Sequence, residues 1–147
     1  MKFKQLILLG SFLLASSAFA NISIMSTGFN GIDPCSNVSG TWDGHGTVKA
    51  GFIVCHYHGR AVVSHTLADF TMAVEMSKDD GICPDHESLS LGGSCKDGNI
   101  QFQTDKADLH GKLNAEGNAA TLNGKVTIDV VGSKVTADID DLEMHKV

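Results

Sequence analysis

The chain has 147 residues, with 11 lysines and arginines against 17 aspartates and glutamates, for a formal charge of −6. A chain this acidic repels phosphate backbones, and its scattered cations form no basic block, so nucleic acid is not expected as a partner. No catalytic motif stands out either. There is no Gly-x-Ser-x-Gly elbow, no His-Glu-x-x-His and no glycine-rich phosphate loop, and the chain is not expected to be an enzyme.

Residues 1–20 read as a signal peptide. Lys2 and Lys4 supply the positive start, Leu6 to Leu14 the apolar core, and Ala18-Phe19-Ala20 the small-x-small cleavage site. The mature chain then starts at Asn21 and is expected in the periplasm or outside the cell. Residue 21 is not cysteine, so it offers no lipid acceptor. No later apolar run reaches spanning length, so no membrane span is expected. Cleavage removes 20 residues and two lysines. That leaves 127 residues and moves the charge from −6 (11 minus 17) to −8 (9 minus 17). This is one domain's worth of chain, enough to bury a core.

Residues 21–40 read as an irregular lead-in, broken by Asp33-Pro34. Four cysteines, Cys35, Cys55, Cys83 and Cys95, read in an exported chain as two disulfides. Of the three connectivities, Cys35–Cys55 with Cys83–Cys95 is expected, because each closes a short loop. Loops of that size contribute roughly 3 kcal/mol each by chain entropy. No C-x-x-C spacing favours a zinc site instead.

From Trp42 onward the apolar period is two. Phe70, Met72, Val74 and Met76 alternate with polar or small residues, as do Ile100 with Phe102, and Val126, Ile128 with Val130. Val135, Ala137 and Ile139 hold one phase while Leu142 and Met144 hold the other, so Asp140-Asp141 between them reads as a β-bulge. Leu109-His110-Gly111-Lys112-Leu113-Asn114 is echoed by Leu122-Asn123-Gly124-Lys125-Val126-Thr127, which suits repeated hairpins. The stretch from Ser77 to Gly93 departs furthest from alternation. It reads as a turn at Lys78-Asp79-Asp80-Gly81 followed by a polar loop. About eight strands result, and residues 41–147 are expected to form an all-β, antiparallel up-and-down barrel, with a β-sandwich as the alternative.

Gly40-Thr41-Trp42, at the start of the first strand, resembles the Gly-x-Trp signature of calycin-like barrels, the lipocalin and avidin-like families. The resemblance implies that Gly40 and Trp42 close one end of the barrel, and that a small, partly apolar molecule is held inside. Nine aromatic residues in the chain, four of them (Phe3, Phe12, Phe19, Phe29) in the signal or lead-in, leave few stacking surfaces for such a ligand. Binding of a protein partner through loops or a sheet face, as an interaction or inhibitor protein, is therefore the second expectation.

Three of the seven histidines fall in one stretch, His56, His58 and His65. If Gly59-Arg60 were the two-residue turn of a hairpin, all three would lie on one face, with His56 and His65 as diagonal neighbours. With His45 as an alternative third ligand, such a set would suit zinc, copper or nickel. The competing readings are a solvated sheet face, whose core side carries Ile53, Cys55 and Tyr57, and a pH-sensitive surface.

Overall fold

The computed structural model describes residues 31–147, apart from Ala68 and the side chain of Val130. The expected signal peptide, its cleavage site and most of the lead-in lie outside the described residues. Eight strands follow in order: β1 (Gly40–Ala50), β2 (Ile53–His65), β3 (Phe70–Asp80), β4 (His86–Lys96), β5 (Asn99–Gln103), β6 (Ala107–Leu113), β7 (Ala119–Val130) and β8 (Ser133–Lys146). Each pairs antiparallel with the next, and β8 returns to β1 from Trp42↔Lys146 to Lys49↔Asp138, closing the sheet into a barrel. The sandwich alternative is not adopted.

Alternation places the core. Phe70, Met72, Ile100, Phe102, Leu109, Leu122 and Val126 are buried in the interior, while Thr71, Gln101, Asp108 and Lys125 face solvent. Burying such side chains contributes about 1.5–3 kcal/mol each, and successive residues of a strand point to opposite faces, so the pattern fixes the register. The expected bulge is present. Asp141 has φ +51°, its N–H donates to Asn123 Oδ1 at 3.0 Å, and the β8 registers against both β1 and β7 shift beside it. The extra residue lets Ile139 and Met144 both reach the core despite their opposite phases.

The echoed Leu-x-Gly segments become partners. In the β6–β7 pair Leu109 lies opposite Gly124, and Leu122 opposite Gly111. A Cβ on Gly111 would sit 2.0 Å from the Thr121 carbonyl oxygen, and one on Gly124 would sit 2.0 Å from that of Asp108. Each glycine removes the side chain that would hold the strands apart, and the opposing leucine takes the interior space.

Both ends of the barrel are plugged, and each plug carries a disulfide. At one end a 3₁₀ turn (Pro34–Asn37) is capped by Asp33, whose carboxylate accepts N–H bonds from Cys35, Asp97 and Gly98. Cys35–Cys95 ties this turn to the end of β4. At the other end the β3–β4 connection folds inward. Tyr57 Oη donates to the Pro84 carbonyl at 2.6 Å, and Lys78 Nζ donates to the Cys83 carbonyl at 2.9 Å and pairs with Asp85 at 2.8 Å. Cys55–Cys83 locks it to β2.

Two disulfides are therefore present, but the expected pairing, Cys35–Cys55 with Cys83–Cys95, is not the one formed. Proximity here is set by the barrel ends rather than by loop length, because the plug turn reaches across the mouth to β4. The loops closed span 60 and 28 residues. By chain entropy they contribute about 4 and about 3.5 kcal/mol, more than the shorter loops would.

The expected hairpin at Gly59-Arg60 also does not form, since β2 runs straight through it. Gly59 is there for closeness: a Cβ would sit 2.4 Å from the Glu75 carbonyl oxygen. The Gly-X turn rule is met instead by Gly51-Phe52, with Gly51 at φ +63° joining the paired residues Ala50 and Ile53. The polar stretch after Cys83 is likewise a strand, not a loop. In β4 Leu89 and Leu91 turn inward while Ser88, Ser90 and Gly92 face outward.

Peptide mapping without reduction should recover Cys35 linked to Cys95 and Cys55 linked to Cys83. Fragments joining Cys35 to Cys55 would contradict the end-plug arrangement. Gly111→Ala should cost about 2 kcal/mol or more in urea unfolding, because the clash is with backbone. Gly92→Ala, whose Cβ would meet nothing within 4 Å, should stay within about 0.5 kcal/mol of the parent.

Candidate functional site

The outer wall of β8, β1, β2 and β3 carries His45, His56 and His58. Because β2 is continuous, His56 and His58 both point outward and join two parallel rungs of cross-strand neighbours. One rung runs Glu143, His45, His58; the next runs Asp140, Thr47, His56, Asp80. His58 Nδ1 lies 2.5 Å from Asp79 Oδ1, His45 Nε2 3.6 Å from Glu143, and His56 Nε2 3.9 Å from Asp80, with His56 Nδ1 3.1 Å from Thr47 Oγ1. The β3 register shifts here, Tyr57 pairing with Lys78 and His56 with Asp80. The extra residue, Asp79, is what lets two successive carboxylates meet outward histidines. Beside the rungs, Arg60 forks onto Asp43 at 2.6 and 2.9 Å, holding that carboxyl below the usual carboxylate range. Lys49 meets Asp140 at 2.7 Å, which raises the lysine pKa. All of these groups are exposed, so the pairs contribute little to stability.

His65 does not join them. Nine residues of extended strand, about 30 Å, separate it from His56, and its odd offset turns it to the other face. Its Nδ1–H donates to the Cys35 carbonyl at 2.8 Å, and its ring meets Phe70 edge-on at 5.4 Å. The expected set His56, His58 and His65 is thus split between the outer wall and the plug, because the turn that would have folded them together is absent. Among the described residues no three histidine, cysteine or carboxylate side chains converge on a point that could hold a metal ion.

Trp42 is buried beside the plug, its Nε1–H donating to the Val38 carbonyl at 2.8 Å. Gly40, at φ +136°, leaves room for Lys146, whose Nζ reaches the Asn37 carbonyl at 2.6 Å. Between the two plugs the interior is packed. A cavity of about 40 Å³ remains beside Gly44, Gly46 and Gly59, walled by Met72, Met76 and Met144 and lined by no polar surface. Small-molecule sites run to about 300–1,000 Å³, far more than this.

The rim of the Cys55–Cys83 end is uneven. The β5–β6 hairpin is short: β5 pairs only with Gly93–Lys96 of β4, and β6 meets β7 only up to Ala107↔Val126. Above it, His86–Leu91 of β4 are paired to β3 alone. Glu87 points inward there, in phase with Leu89 and Leu91. Burial, and then the Asp129 carboxylate of β7, push its carboxyl above the usual range. Among the described residues it has no hydrogen-bond or ion-pair partner. The neighbouring turns of the same end carry exposed Phe52, Ile82 and Val131. Val131 sits at φ +50°, a conformation unfavourable for a β-branched residue. Sequence reasoning missed Glu87 and the roles of Asp79, Asp80 and Glu143. A weak Leu89-x-Leu91 alternation was the available signal.

No protein-family model, curated protein or solved structure matches the chain. Among the described residues no helix is long and apolar enough to cross a membrane.

Asp33 and Glu87 should titrate with opposite effects on stability. N–H bonds, first from Cys35, hold the Asp33 carboxyl below its ordinary value, so it adds stability above about pH 4 that is lost as pH falls through its folded value. Asp33→Asn should therefore lower Tm at pH 7, with the gap closing in acid. The Glu87 carboxyl is raised, so its native form binds more protons and stability falls as pH rises past about 4. Glu87→Gln should raise Tm at pH 7, that gain also vanishing in acid. Melting curves from pH 7 to pH 3 check both signs.

Proposed function

We propose that this is an exported, non-enzymatic binding protein whose ligand, a protein, is engaged from outside the barrel. The observation that carries the reading is the filled interior, whose 40 Å³ cavity is too small for an organic ligand and lies between two disulfide-tied plugs. Two structural disulfides suit an oxidising compartment, in keeping with the signal peptide read at residues 1–20. The barrel is compatible with the calycin-like architecture that Gly40 and Trp42 suggest, but here that architecture serves as a rigid scaffold rather than a container. Exposed Phe52, Ile82 and Val131 at one end, together with the unpaired Glu87 carboxylate, offer the mixture of apolar and charged groups that protein interfaces use.

Native mass spectrometry of the protein from its own exported fraction, prepared without chelators, tests this reading. The expected species is the oxidised chain beginning at Asn21, bare or carrying a second polypeptide. A stoichiometric organic mass would overturn the reading in favour of an occupied barrel. A metal mass lost in a His56→Ala, His58→Ala double variant would overturn it in favour of a metal site on the outer wall.

A further inference from the structure

The unpaired upper half of β4 is a sheet edge of defined polarity. Lys78 N–H donates to the Asp85 carbonyl at 2.9 Å, and Lys78 stands opposite Asp85 in the β3–β4 register. In an antiparallel ladder the two residues of a hydrogen-bonded pair exchange both bonds, and bonded pairs alternate with unbonded ones. Counting by twos, Glu87, Leu89 and Leu91 bond to β3, and the N–H and C=O groups of His86, Ser88, Ser90 and Gly92 point away from it. Below the edge, Gly93–Lys96 have β5 to pair with. Gly92 stands level with Gln103, the last residue of β5, and above it no described strand pairs with β4 on this side. Natural edges are blunted by lysine, proline, a bulge or an inward-pointing charge. His86-Glu87-Ser88-Leu89-Ser90-Leu91 contains neither lysine nor proline, and its register to β3 is unbroken, so the inward charge of Glu87 is its one such feature.

We infer that the His86–Leu91 edge of β4 is a strand-addition site for an extended segment of a partner protein that places a lysine or arginine beside Glu87. This rests on the reading that the protein binds a protein from outside. Main-chain bonds to His86, Ser88 and Ser90 give such a site its affinity, and the alternating side chains of the incoming strand give it selectivity. Its inward-facing side chains would lie beside Glu87, Leu89 and Leu91. An inward-pointing charge penalises neutral strands and other acidic ones. Glu87 is half-buried without a cation, with Asp129 near it across the gap, and an incoming cation relieves both. A second copy of this chain brings instead another Glu87 and another net negative charge, −6 for the full sequence, which disfavours self-pairing.

The test uses the full mature protein and a blocked synthetic peptide alternating valine with lysine, followed by amide chemical shifts. Saturable shifts should centre on His86, Ser88 and Ser90. Ser90→Pro removes an N–H that β3 does not use, so it should keep the fold, judged by Tm, and weaken binding about tenfold or more, the loss expected for about 1.4 kcal/mol of main-chain bonding. Glu87→Gln should weaken it several-fold and abolish the preference over a peptide with glutamate in place of lysine. No saturable shift at millimolar peptide, or binding untouched by Ser90→Pro, overturns the inference. So does a concentration-dependent dimer that Ser90→Pro dissolves, which would assign the edge to a second copy. A polypeptide co-purifying with both parent and Ser90→Pro would leave the outside-binding reading standing while refuting this site.

Discussion

Closing eight strands on themselves sets the terms for everything else in this protein. A barrel of that size has an interior just wide enough for side chains, so each inward position must suit a neighbour on the facing or adjoining strand. The reciprocal pairs Leu109 with Gly124 and Leu122 with Gly111 meet that condition directly. Gly59 opposite Met76 and Gly44 opposite Met144 meet it in the same way, a bare backbone against a flexible side chain. Methionine, with its unbranched stem, fills what irregular space remains. The result is a cylinder whose contents are its own side chains.

A filled cylinder still has two open ends, and the cysteines serve there. Asp33, the 3₁₀ turn and Trp42 close one end, while the loop from Gly81 to Asp85 closes the other over Tyr57 and Lys78. Each closure is held by one disulfide and a few hydrogen bonds to carbonyls. Such short segments bury little surface of their own, so a covalent tie compensates for what hydrophobic packing cannot supply. With interior and ends committed to stability, chemistry is left to the outer wall and the rim. There the carboxylates outnumber the cations, and Glu87 stands unpaired.

Most of the fold was legible in the sequence because period-two alternation is a local signal. Phe70 to Met76, Ile100 with Phe102, and the phase change at Asp140-Asp141 could each be read without knowing any partner strand. What could not be read depended on contacts between distant segments. A glycine followed by an outward-facing residue looks the same at a turn (Gly51-Phe52) and at a close strand crossing (Gly59-Arg60), and only the neighbour, Glu75, distinguishes them. That ambiguity moved His65 away from His56 and His58. The disulfide pairing failed for the same reason, since the approach of Cys35 to Cys95 arises from barrel closure. The strand from His86 was obscured by serines and glycines at its outward positions, and with it the rim residue Glu87.

Hydrogen exchange of the free protein, resolved residue by residue, tests the central claim most directly: a barrel closed along its lower half and open above the β5–β6 hairpin. The β1–β8 seam should be protected as strongly as the β1–β2 ladder, with Glu87, Leu89 and Leu91 protected and Ser88 and Ser90 exchanging at rates close to those of an unstructured chain. A fast-exchanging β1–β8 seam would mean that the sheet does not close. Equal protection at odd and even positions from residue 87 to 91, at every protein concentration, would mean that the β4 edge is already occupied within the chain.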